Sequence, residues 1–164
     1  QYVAVTAGWG TALPLAGGVG VRDGAPRMAS PAMGRVVVFK IGGTGEMIAD
    51  EAFPAEPVAL AEDFGSAAML EHGKELFFNN CMVCHGDAAQ SGGIVTDLRW
   101  AQGPAAKATF AEVVLGGKYA TAGMASFANT LTPDDAEAIR AYIINRANED
   151  AKALAATVPA PAPK

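Results

Sequence analysis

The chain has 164 residues, 51% of them hydrophobic and 18% charged, with a net charge of −5 at pH 7. This acidic balance gives no electrostatic basis for binding nucleic acid or an anionic membrane, and no apolar run approaches the roughly twenty residues needed to span a bilayer. With 2 Cys and 2 His in all, a closed zinc site of the Cys-rich kind, which needs about four protein ligands, is disfavoured.

In chain order, Tyr2–Thr6 and Arg35–Ile41 are β-branched, strand-like runs separated by a Gly-, Ala- and Pro-rich stretch. Two strands joined by a long connection make a poor structure alone, because the hairpin is marginal and loop closure costs entropy. Their unpaired edges would also invite association. Residues 1–45 are therefore expected to complete a sheet supplied from elsewhere. Gly42-Gly43-Thr44-Gly45 lacks the Lys-Ser/Thr of a phosphate loop and reads as a strand exit. Residues 46–62, with Pro54, Pro57 and several acids among small residues, read as an extended linker.

From 63 onward the pattern becomes helical. Ala67, Leu70, Phe77 and Phe78 recur near a helical period over 66–80, with Gly73 and Phe77 on one face. Gly73 would admit another helix closely. A second helix is expected from Thr109 as N-cap through Leu115, closed by Gly116 and Gly117. A third follows Thr132-Pro133-Asp134-Asp135, which offers an N-cap, a Pro at the first position and acids in the first turn. Its Ile139, Tyr142 and Ile143 form a stripe suited to crossing the helix that carries Gly73. Residues 151–164, with three prolines among alanines, are expected to be a disordered tail.

Between the first two helices lies Cys81-Met82-Val83-Cys84-His85. Its C-x-x-C-H spacing attaches a c-type haem: two thiols reach the two vinyl groups, and the next residue places an imidazole at the iron. A redox dithiol is the competing reading, but that motif follows a strand in an alternating βα pattern, which is lacking here. His85 is then the proximal ligand, while His72 reads as a partly exposed helical residue. Of the 6 Met, Met124 alone lies in a Gly-bearing loop downstream that could cross the opposite haem face; it is either the sixth ligand or a flexible core filler. Arg99 and Trp100 carry a guanidinium fork and an indole N–H suited to a haem propionate. Either could equally be an ordinary surface or core residue.

These residues carry a family resemblance. Gly73-x-x-x-Phe77, Cys81-x-x-Cys84-His85-Gly86, the Gly123-Met124 loop and the closing Pro133-Asp134-Asp135 helix resemble a class I cytochrome c domain over 63–150. The segments Lys74-Glu75-Leu76-Phe77, Asp97-Leu98-Arg99-Trp100, Val114-Leu115-Gly116-Gly117 and Gly123-Met124-Ala125-Ser126-Phe127 resemble more narrowly the C-terminal cytochrome domain of quinohaemoprotein alcohol dehydrogenases. Ala125 stands where many class I cytochromes carry Pro. Ala4–Gly10 and Gly34–Lys40 look like the end of the eight-bladed propeller preceding that domain, with Trp9 either packed between blades or a generic aromatic in a Gly-rich turn.

The resemblance implies a mostly α fold: a cytochrome c domain preceded by a β segment that completes a propeller blade. It implies covalent haem c on Cys81 and Cys84, His85 and Met124 at the iron, and one-electron transfer rather than a catalytic site within this chain. The implied partners are a propeller polypeptide holding pyrroloquinoline quinone (PQQ) and calcium, which oxidises an alcohol, and a downstream acceptor. The implied location is the bacterial periplasm. A free-standing, diffusible periplasmic cytochrome c is the alternative. The opening at Gln1, without Met or a signal-like segment, is expected of a processed, cleaved or excised polypeptide.

Overall fold

The computed structural model describes residues 1–7, 35–46, 61–90 and 95–157. Trp9, most of the 46–62 linker and the Pro-rich end fall outside the described residues. Strand β1 (Tyr2–Ala7) pairs antiparallel with β2 (Arg35–Lys40), with Tyr2 opposite Lys40 and Ala7 opposite Arg35. Side chains on both faces are open to solvent: Tyr2 and Val36 are each 67% exposed, and Val3, Val38 and Phe39 are exposed as well. Alternation along a strand should hide one face, so these two strands have no core of their own.

The helical part does have one. Helix α1 (Ala67–Asn80) begins at Ser66, whose Oγ accepts the Met69 amide at 3.2 Å. This satisfies one of the orphan donors of the first turn. A single turn, α2 (Met82–His85), follows at once. Helix α3 (Lys107–Val114) starts two residues before the expected Thr109, which lies exposed inside it. A 3₁₀ turn over Gly103–Ala105 runs straight into the helix, and the Phe110 amide bonds the Ala106 carbonyl at 3.0 Å, so no side-chain cap sets the start. The helix closes as expected, with Gly117 at φ +69°, in the left-handed region that glycine occupies without strain.

Helix α4 (Pro133–Thr157) opens on a reciprocal cap. Thr132 Oγ1 accepts the Asp135 amide at 3.1 Å, while Asp135 Oδ2 accepts the Thr132 amide at 2.9 Å and its hydroxyl at 2.7 Å. Asp thus fills the place Glu or Gln takes in a capping box. The helix continues to Thr157, past the domain end expected at 150. Residues 151–157 are thus helical rather than part of the disordered tail expected from 151, because Ala151, Ala153, Ala155 and Ala156 favour helix. No described helix is long and apolar enough to cross a membrane.

Helices α1 and α4 cross at Gly73, where an added Cβ would overlap the Ala138 carbonyl. One turn on, the Phe77 and Tyr142 rings stack at 5.4 Å with a 52° tilt. Phe77, Phe110, Val114, Leu131, Ile139 and Ile143 form the core around this crossing, each side chain contributing about 1.5–3 kcal/mol on burial. His72 Nε2 meets Asp135 Oδ1 at 3.0 Å on the rim of the same crossing.

Gly73→Ala is expected to lower stability by about 1–3 kcal/mol, read as a fall in Tm, because forced separation of packed backbones outweighs the roughly 1 kcal/mol gain in helix propensity. Asp135 is held down to about pKa 2, first by the Thr132 hydroxyl, then by the Thr132 amide and His72. A depressed carboxylate contributes stability above its unfolded value of about 3.9 and loses it as pH falls through the folded one. Asp135→Asn should therefore be less stable at pH 7 and show a flatter stability profile between about pH 4 and 2; an unchanged acid slope would exclude this role.

Candidate haem site

Helix α1 delivers the motif. The Cys81 amide caps α1 by bonding the Phe77 carbonyl at 2.8 Å, and the His85 amide then bonds the Cys81 carbonyl at 2.9 Å. One helical turn thus places Cys81, Cys84 and His85 on neighbouring positions of one face, since residues three and four apart adjoin. Both cysteines are free thiols. Burial, followed by the neighbouring Cys84, pushes the Cys81 thiol up to about 12.

His85 is buried, and its Nδ1 lies 3.0 Å from the Thr96 carbonyl oxygen. A carbonyl only accepts, so Nδ1 carries the proton and donates, leaving the Nε2 lone pair for a ligand. Burial lowers the His85 pKa, opposed by the Thr96 bond and the Asp97 charge. The neutral imidazole is the metal-ligating form.

Met124 comes from a loop pinned on both sides. Before it, a 3₁₀ turn over Ala120–Ala122 ends in Gly123 at φ +98°, and the Met124 amide bonds the Tyr119 carbonyl at 3.2 Å. After it, the Phe127 amide bonds the Val114 carbonyl at 2.8 Å, and the Ser126 hydroxyl donates to the Leu115 carbonyl. The end of α3 therefore holds the loop. Cys81, Cys84, His85 and Met124 line one cavity of about 590 Å³, walled also by Thr96, Tyr119 and Phe127. That volume falls within the usual range for cofactor pockets.

Arg99 and Trp100 stand outside this lining. The Arg99 guanidinium points at carboxylates of its own chain, donating to Asp97 at 2.7 and 3.1 Å and to Asp150 at 2.8 Å. Trp100 Nε1 is buried without an acceptor among the described residues. An orphaned buried donor costs about 1–3 kcal/mol, and an acceptor arriving with a bound group would relieve it. Sequence spacing missed Thr96 and Tyr119, because each contributes a backbone carbonyl that any residue type supplies. It also missed Asp150, which lies 51 residues from Arg99.

Residues 68–143 match the family described as "Cytochrome C oxidase, cbb3-type, subunit III", a span running from α1 into α4. Quinohemoprotein alcohol dehydrogenase ADH IIB of Pseudomonas putida is 34% identical over 151 residues, covering 92% of this chain and 21% of that protein. The dehydrogenase subunit of the alcohol dehydrogenase (quinone) of Gluconobacter oxydans is 35% identical, covering 91% and 19% respectively. A solved structure of quinohemoprotein alcohol dehydrogenase ADHIIG from P. putida superposes with a TM-score of 0.63 at 33% identity, over 91% of this chain and 21% of that one. The chain spans about a fifth of the length of these relatives. A helical fold with cysteine, histidine and methionine around one cavity, matched to a cytochrome family model over residues 68–143, makes this a cytochrome domain, and along nine-tenths of its length the chain is similar to the cytochrome part of quinohaemoprotein alcohol dehydrogenases.

Proposed function

We propose that this chain transfers single electrons through a haem held by thioether bonds to Cys81 and Cys84, with His85 and Met124 as axial ligands. The observation that carries the reading is the cavity shared by one helical turn bearing both cysteines and His85, and by the Met124 loop facing it. When bound, haem supplies a one-electron ferric–ferrous couple, whose potential a thioether ligand raises relative to bis-His ligation. The protein's part is to fix the ligands and exclude water. Thr96 orients the His85 ring, Tyr119 and Val114 anchor the Met124 loop, and Phe127 and Tyr119 wall the cavity. The Trp100 N–H is assigned to a propionate on the strength of its missing acceptor. Arg99 supports that turn through Asp97 and Asp150 rather than from the cavity wall.

The electron donor in this reading is a propeller carrying PQQ and calcium that oxidises an alcohol, and the acceptor is a periplasmic redox protein. The names of the relatives favour the donor. So do β1 and β2, whose exposed apolar faces suit strands of a larger sheet. A free-standing periplasmic cytochrome c would leave those faces in water.

Met124→Ala is expected to lose the thioether-to-iron absorption band of the ferric protein while keeping covalent haem; persistence of the band would assign the sixth ligand elsewhere. Native mass spectrometry of the material as isolated, beside a denatured sample, tests the rest. Haem that stays with the denatured polypeptide, together with a propeller-sized partner or continuation in the native assembly, supports the full reading. Haem that dissociates on denaturation removes the covalent attachment, and a native mass of chain plus haem alone favours the diffusible carrier.

A further inference from the structure

The imidazole of His85 is steered by a backbone carbonyl, and that carbonyl sits beside a buried ion cluster. Thr96, which accepts from His85 Nδ1, is followed by Asp97, whose carbonyl closes a turn by accepting the Trp100 amide at 3.2 Å. Asp97 Oδ1 accepts both the Arg99 amide and Arg99 Nε at 3.1 Å, and Oδ2 accepts NH2 at 2.7 Å. The arginine is thereby locked onto its own turn. Its NH1 reaches Asp150 Oδ2 on α4 at 2.8 Å, and Asp150 Oδ1 also accepts Arg146 NH2 at 3.1 Å. Asp97, Arg99 and Asp150 are only 4%, 3% and 4% exposed. In such surroundings a fork between two carboxylates is stiff and little screened.

We propose that Arg99, clamped between Asp97 and Asp150, is a positioning residue that holds the Thr96 carbonyl on the His85 imidazole and so keeps the haem potential low. The physical link is basicity. A short, aligned Nδ1–H···O bond pushes electron density toward Nε2, as outer-shell acceptors do for metal-bound histidines. A more basic imidazole favours the ferric state. Helix α4 also fixes α1 through Gly73, and α1 ends at Cys81. The ring is therefore oriented from both sides by one helix: through the cysteine turn on one, and through Arg99 on the other.

The inference rests on His85 as an iron ligand. The low-spin spectrum of the unsubstituted haem-loaded protein checks that first, and its absence would defeat the ligand reading rather than the clamp. The clamp is tested by Arg99→Lys and Asp150→Glu, which preserve every charge and so separate geometry from simple charge removal; an ammonium cannot fork between two carboxylates. Both should raise the midpoint potential by at least the equivalent of a threefold change in the ferric/ferrous ratio, about 30 mV for one electron. Both should also shift the hyperfine-displaced His85 ring protons in the ferric NMR spectrum. If one variant does not accumulate, the other suffices. Ile144→Val, in a separate buried cluster on α4, is the control for destabilisation alone and should move neither readout. An unchanged potential and unchanged ring protons in a folded variant, or equal movement in Ile144→Val, would overturn the clamp.

Discussion

The crossing of α1 and α4 at Gly73 is the contact on which the site depends. Here the backbone of one helix lies against the Ala138 carbonyl of the other with no side chain between them. Close approach brings Phe77 onto Tyr142 one turn later and sets the angle at which α1 leaves the core. Cys81 caps that same helix, so the position of both thiols and of His85 follows from how tightly the two helices can meet. A larger residue at 73 would move the end of α1 as well as loosen the core. In this fold, packing and site geometry are one constraint.

The two halves of the site are built differently. The cysteine–histidine half lies on a helical turn, whose hydrogen bonds fix residue spacing without outside help. The methionine half is a loop, and a loop must be tied. Its ties run to Tyr119 before Met124 and to Val114 and Leu115 after it, so α3 serves mainly as a post. This explains why α3 buries only Phe110 and Val114: two anchors suffice to fix a post against α4. Similar economy appears at the entrance to the domain, where Asn148 of α4 donates to the Ala61 carbonyl and to Asp63, and Arg140 lies over the Phe64 ring at 4.2 Å.

What the sequence made legible was local chemistry. The C-x-x-C-H spacing, the Thr132-Pro133 cap, and Gly73 four residues before Phe77 each work within one or two turns, so residue order alone determines them. Thr109 misled because hydroxyl side chains mark N-caps only on average, whereas here a Pro104-bearing turn and the burial of Phe110 fix the start. Arg99 was half legible. Its fork does meet carboxylates, as a guanidinium beside a buried turn must, but they are Asp97 and the distant Asp150. The His85–Thr96 bond was invisible for a deeper reason: its acceptor is main chain, and the sequence carries no mark for which carbonyl a fold will bring to a given ring.

The hairpin and the helical domain obey opposite energetics. The helical domain buries Phe77, Ile139, Ile143 and Ile144 almost completely and caps the starts of α1 and α4 with its own Ser66 and Thr132–Asp135 side chains. The β1–β2 pair exposes Tyr2, Val36, Val38 and Phe39, and a two-stranded sheet of that kind is marginal in water. Burying those four side chains elsewhere would release on the order of 1.5–3 kcal/mol each, offsetting the entropy of ordering a pair of strands that is marginal alone. Electron transfer needs only the helical domain, since every residue around the cavity belongs to it. Under the proposed function, strands that contribute no residue to the cavity lining make physical sense as a fastening to the electron donor. In the proposed arrangement, electron transfer from donor to haem would occur within one assembly and would not depend on diffusional encounter.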